Sequence, residues 1–229
     1  MPVKETMLDI LHLHIMEPTT VFTNLIMGGL CFVFFNRLKK EPVHYKLGSN
    51  WKFFFLFMGI ASIIGALTHG LKSYFGQDDY YFVWLLMNLA GIPCSYFLLQ
   101  ANIELSKLNQ ELKKKLKLTS IVLTAILTIL VIMLNNFLLV KLNAGFVIGL
   151  TLFNHFKTYR SGFIGSGFIL LGFTISTSSL LVHGLKISYS EWFNYKDISH
   201  VIMSISLYII FLGVMEKMKL AGLETEKAR

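Results

Sequence analysis

Long apolar runs fill most of the chain, and they are continuous, without a strict alternation of polar and apolar positions. Seven are candidate helical spans: residues 19–36, 51–71, 81–100, 118–140, 142–156, 162–183 and 198–215. A helix needs about 20 mostly apolar residues to cross the hydrocarbon core of a bilayer. A membrane β-barrel would instead show a two-residue period in each segment. The fifth run is the shortest and carries Gly145 and Gly149. The pattern predicts one all-α polytopic membrane domain over residues 1–229. Its outer N-terminal segment is 1–18 and its cytoplasmic tail is 216–229. Glu5, Asp9 and Glu17 interrupt that first segment, which does not read as a secretory signal.

Composition agrees with this reading. Of 229 residues, 54% are hydrophobic and 15% charged, with a mean hydropathy of +0.60. Soluble domains carry about 25% charged residues. The net charge of +8 acquires meaning once it is placed on the predicted loops. One face takes 16 of the 21 basic residues and six of the 13 acids, a net of +10. The other face is left with −2. The positive-inside rule puts the lysine-rich face in the cytoplasm, the N-terminus outside and the C-terminus inside. The run Lys113, Lys114, Lys115 follows a segment that reads as a helical extension below the third span, suited to topology and anionic-lipid contact. No basic face is interleaved with aromatics, so no nucleic-acid partner is expected. Cys31 and Cys94 read as packing thiols in the inner halves of their spans.

An internal echo adds to the architecture. Thr68-His69-Gly70-Leu71-Lys72 ends the second span, and Val182-His183-Gly184-Leu185-Lys186 ends the sixth, 114 positions later. The same offset joins Ser62 to Ser176. A weaker echo joins Phe35-Asn36 to Phe153-Asn154. These pairs predict a 3+1+3 arrangement of two parallel three-helix repeats linked by helix 4. Such repeats often place ligands at their interface.

The sparse ionisable groups collect at one depth. His69, His183 and His200 fall at the outer ends of spans 2, 6 and 7. Glu17 stands just before span 1, and Asp78, Asp79 and Asp197 lie in adjoining loops. Ionisable groups at membrane depth are costly unless paired or functional. Three imidazoles converging on one centre make a zinc site with an open fourth position, and zinc lowers the pKa of its water to about 7. Glu17, Asp78 and Asp197 are then candidates for orienting groups or general base, and Ser62 or Thr68 for a donor to a developing oxyanion. Two other readings of the same residues stand beside it: a metal-free polar pocket, and structural histidines at helix ends. The N-terminal segment, with His12 and His14, is placed to fold back as a lid. Ser62, the Thr174–Ser179 hydroxyls, Ser204 and Tyr208 are candidates for a polar shaft below the histidines.

Glu17-Pro18-Thr19-Thr20-Val21-Phe22-Thr23-Asn24, His69, Asp78 or Asp79, and His200 together resemble the superfamily that joins alkaline ceramidases with the progestin and adipoQ receptors. That superfamily pattern has a Glu followed by Asn and Thr residues at helix 1, a Ser and a His in helix 2, an Asp after it, and two His in helix 7. The resemblance implies seven helices, zinc near one membrane face and hydrolysis of a lipid amide bond. The residue four before His69 is Gly65, with Ser62 about a turn deeper, and the residue four after His200 is Ser204. The third ligand would therefore be His183.

Three functions follow as expectations. One is a zinc-dependent hydrolase of a lipid amide or ester, with membrane lipids as partners and substrate. Another is a non-enzymatic receptor or transporter with a polar binding pocket. A bis-histidine haem on His69 and His183 is a third. A retinal protein is excluded, because the seventh run has no lysine for a Schiff base.

Overall fold

The protein, seen in a computed structural model, is described over residues 6–41 and 46–227, without the side chains of 46–47 and 221–227. Lys4, Glu5 and Arg229, part of the charge map above, lie outside the described residues. Seven long helices are present: α1 (Pro18–Lys40), α2 (Lys46–Gly70), α3 (Gln77–Leu105), α4 (Gln110–Leu134), α5 (Phe137–Arg160), α6 (Ile164–Leu185) and α7 (Tyr195–Lys227). Each contains a stretch long and apolar enough to cross a bilayer. Length and composition of its helices thus mark a multi-pass membrane protein, built from the element that satisfies its own backbone in lipid.

Three local details differ from the sequence pattern. First, α3 stops at Leu105, and Asn109 starts α4 by accepting the Leu112 N–H at 2.8 Å. Lys113, Lys114 and Lys115 therefore lie on the opening turns of α4, and not on an extension of α3. Second, α4 ends at Leu134, well before residue 140. Asn135 turns the chain with a φ of 41°, and Asn136 caps α5 by accepting the Leu138 N–H at 2.9 Å. Two asparagines inside an apolar run reset the boundary, because asparagine tolerates the left-handed conformation and caps helices well. The fifth helix is thereby 24 residues long. Third, residues 7–16 form an antiparallel hairpin, β1 (Met7–Ile10) with β2 (Leu13–Met16). Its turn residues Leu11 and His12 take φ values of 49° and 69°. Such turns usually advertise themselves by Asn-Gly or Asp-Gly, so this one was hidden.

Helix registers follow from the contacts. α1 and α2 run antiparallel, with Gly28 against Ile63 and Gly70 against Val21. α1 and α7 run parallel: Thr20 meets Asp197 and Thr23 meets His200, three residues on in both helices. α3 and α5 are also parallel, since Gly91 meets Val140 and Asn102 meets Thr151, eleven residues on in both. The packing order α1–α2–α3–α5–α6–α7 closes back on α1, and α4 lies outside that ring against α3 and, slightly, α5. The ring is filled by Cys31, Phe34, Trp51, Phe55, Leu98, Ile169, Phe173 and Ile210. Cys31 and Cys94 are free and buried there.

The tightest seam is α6 on α7. Gly165 and Gly213 face each other, and Ser206 donates to the Gly172 carbonyl at 2.6 Å. Small residues permit this close approach, the usual basis of helix association in lipid. A Cβ on Gly213 would stand 2.5 Å from the Gly165 carbonyl oxygen, so the helices would have to separate. Gly213→Ala should therefore destabilise the protein by about 1–3 kcal/mol. Gly149, which has open space around its Cα, supplies the control: Gly149→Ala should be neutral or stabilising by up to about 1 kcal/mol. Thermal unfolding of both variants in detergent checks the contrast.

Candidate functional site

α7 begins with a reciprocal cap. The Asn194 side chain accepts the Lys196 N–H at 2.9 Å, and Asp197 Oδ2 accepts the Asn194 N–H at 2.7 Å. This is the capping-box logic of a polar residue followed three positions later by an acid. The second Asp197 oxygen accepts the Thr20 hydroxyl of α1 at 2.6 Å, and Asp197 is fully buried. One carboxylate thus caps α7 and ties it to α1.

Four residues along α7 from Lys196 comes His200, on the same helix face. Its Nδ1 lies 3.1 Å from the Thr23 hydroxyl. That hydroxyl is within bonding distance of the Thr19 and Thr20 carbonyls, to which its single proton goes. It must then accept from His200, which puts the imidazole proton on Nδ1 and leaves Nε2 as an acceptor.

Glu17 is the centre of the cluster. It precedes α1 with φ 45° and ψ 55°, in the left-handed region. For a residue other than glycine this costs roughly 1–2 kcal/mol. Two things hold it there: its N–H donates to the Thr6 carbonyl at 2.8 Å, and both carboxylate oxygens are taken. His69 Nδ1 of α2 bonds Oε2 at 2.5 Å, and the Lys196 ammonium of α7 bonds Oε1. Gly70, beside His69, lets Val21 of α1 approach to a distance that a side chain would block. Burial alone pushes the Glu17 carboxyl up, but the hydrogen bonds from His69 and Lys196 outweigh it and hold the pKa at about 2.

The remaining sequence candidates fall in different places. His183 is exposed at the end of α6, its ring edge-on to Tyr195 at 4.9 Å. Glu17, His69, His183 and Lys196 all lie within electrostatic reach of His200. Among the described residues, however, no group of three His, Cys, Asp or Glu side chains is arranged to hold a metal ion. Asp78 is exposed in the first turn of α3; Asp79 caps that helix by accepting the Gly76 N–H at 3.3 Å. Ser62 is buried beneath the cluster, where it donates to the Met58 carbonyl at 2.8 Å. The α6 hydroxyls expected to line a shaft bond back to carbonyls of their own helix, as Ser176 does to Phe173 and Ser179 to Ser176. Ser204 does likewise to His200. The hairpin rests on this end of the bundle: the Tyr74 hydroxyl accepts the His14 N–H at 2.8 Å, and Asp9 pairs with His14 across the strands.

Lys196 and the Asn194 cap are not among the residues expected from the sequence. The signal was present in Asn194-Tyr195-Lys196-Asp197, a helix start whose lysine shares a face with His200.

The fold and this cluster define a multi-pass membrane protein with ionisable groups joining three helices at one end. The chain belongs to the family described as "Family of unknown function (DUF6962)", whose model matches residues 19–219. That match takes in His69, Lys196, Asp197 and His200. No curated protein and no solved structure matches the chain.

The Glu17 ion pairs set a pH dependence. With a folded pKa of about 2 against an ordinary 4.5, Glu17 contributes stability in full above about pH 4.5. That contribution is lost as pH falls towards 2. The difference corresponds to about 3 kcal/mol at most. Unfolding midpoints of the purified protein between pH 6 and 2 should drop, and Glu17→Gln should remove this part of the drop.

Proposed function

We propose that the protein is a non-enzymatic membrane receptor or transporter whose binding element is the Glu17–His69–Lys196 cluster, open to a small polar ligand from the outer side. One observation carries this reading: a single buried carboxylate is gripped by bases from two other helices. A ligand that competes for Glu17, His69 or Lys196 acts on α1, α2 and α7 together. The left-handed backbone at Glu17 supports the same reading, since strain of this kind collects at ligand clamps and switches.

We further infer that Glu17 faces outside and the lysine-rich face lies in the cytoplasm, a reading supported by the charge asymmetry. The 3+1+3 repeat belongs to the same proposal. It is supported by the His-Gly-Leu-Lys echo and by the exclusion of α4 from the helix ring. In this arrangement the cluster sits where α1 of one repeat meets α7 of the other.

The zinc-dependent lipid hydrolase is a second reading, favoured by one detail. His69 and His200 are anchored through Nδ1, by Glu17 and Thr23, and their Nε2 atoms make no hydrogen bond among the described residues. Metal-binding histidines are commonly oriented in this way. As placed, His183 does not complete a ligand set with them, so no reaction step is assigned to a metal here.

Metal analysis of the purified full chain after zinc loading separates the two readings. The receptor or transporter reading expects far less than one zinc per chain, unchanged by His69→Ala or His200→Ala. One zinc per chain, lost in both variants, would overturn it in favour of the hydrolase.

A further inference from the structure

At the opposite end of the bundle, α3, α4, α5 and the ends of α6 and α7 enclose a cavity of about 940 Å³. Small-molecule sites commonly occupy about 300–1,000 Å³. The lining divides into two zones. One is apolar, with Leu99 of α3, Leu116 and Leu123 of α4, and Phe146 and Leu150 of α5. The other is cationic, with Lys107 after α3, Lys157 near the end of α5 and Lys217 on α7. Among the described residues, no carboxylate lines the cavity.

Of the three lysines, Lys157 has its ammonium over the Phe153 ring, 4.1 Å from the centroid. Among the described residues none of them pairs with an acid. Glu104 is held instead by Lys117, and its carbonyl by Lys113. Between the two zones Asn154 donates to Asn102 at 3.1 Å, which gives the rim neutral polar groups as well. The cavity also reaches the surface that faces lipid. Leu123 and Phe146 line it and are 58% and 65% exposed. They stand on α4 and α5, which barely touch, so the space opens sideways between these helices.

An occupant must therefore carry an anionic head and an apolar chain, and it must be able to enter from the bilayer. A soluble anion satisfies only the first requirement. We propose that this cavity binds an anionic phospholipid from the leaflet on the lysine-rich face. Its phosphate lies among Lys107, Lys157 and Lys217, and an acyl chain lies between α4 and α5. Basic pockets between membrane helices on the cytoplasmic side recognise lipid headgroups in this way. The site is separate from the Glu17 cluster and stands whatever ligand that cluster takes.

The test is retention of added lipid by the purified full chain, read by native mass spectrometry, with phosphatidylglycerol against phosphatidylcholine. Phosphatidylglycerol should be retained about tenfold or more over phosphatidylcholine, given three lysines near the phosphate. The variant Lys107→Gln/Lys157→Gln/Lys217→Gln should fall to the phosphatidylcholine level. The charge-matched control Lys39→Gln/Lys40→Gln/Lys114→Gln, all exposed positions, should retain the lipid. Leu150→Trp, which fills the apolar zone without altering charge, should also lose it. Lipid-free unfolding midpoints establish that each variant is folded. If the first triple variant does not fold, the exposed single changes Lys107→Gln and Lys157→Gln should each give a partial loss. Equal retention of the two lipids would overturn the proposal, as would an equal loss in the control triple. Displacement of phosphatidylglycerol by equimolar oleate or inorganic phosphate would overturn it in favour of a fatty acid or a soluble anion.

Discussion

One half of the bundle depends on one buried charge. A buried carboxylate is tolerated only with partners that supply what water would have supplied. Glu17 finds these partners on two other helices, His69 of α2 and Lys196 of α7. The need to satisfy both oxygens therefore fixes the relative height of three helix ends. Asp197 repeats the device a turn away: one oxygen caps its own helix and the other accepts from Thr20. The neighbouring Thr23–His200 contact follows from the same register. The Glu17–Lys196, Thr20–Asp197 and Thr23–His200 contacts would not survive a slip of α7 against α1 by one residue.

The other half is organised by shape. Phe34, Trp51, Phe54, Phe55, Phe173 and Phe211 pack ring against ring, several of them edge to face. α6 and α7 approach through glycine and serine. The two halves thus solve different problems. Near the Glu17 face a few polar groups must be neutralised, whereas towards the lysine-rich face apolar volume must be filled without voids. The 940 Å³ cavity beside α4 is where that filling stops, and α4, with only 11% of its apolar window buried, adds little to the ring.

What could be read from the sequence follows these physical differences. The seven helices were legible because hydrocarbon thickness imposes a length and composition that leave few alternatives. The depth of Glu17, His69, Asp197 and His200 was legible from their places at the ends of apolar runs. Which of them touch was not, since that depends on rotation about each helix axis. His69 turns towards Glu17 and His183 turns outwards to Tyr195, although both sit in the same His-Gly-Leu-Lys context. The Asn135–Asn136 break was missed because two polar residues scarcely perturb a long apolar average. The hairpin was missed because Leu11 and His12 are unusual choices for left-handed turn positions.

The two parallel contacts in the ring, α1 beside α7 and α3 beside α5, have an electrical consequence. Antiparallel neighbours largely cancel their helix dipoles, and parallel neighbours add theirs. At one end of the first pair, two helix N-termini stand side by side with partial positive charge, and the carboxylates of Glu17 and Asp197 occupy that position. At the other end of the second pair, two C-termini stand together with partial negative charge, beside Lys107 and Lys157. The arrangement of the backbone alone thus favours acids at one face and bases at the other, in the same sense as the distribution of side-chain charge along the chain.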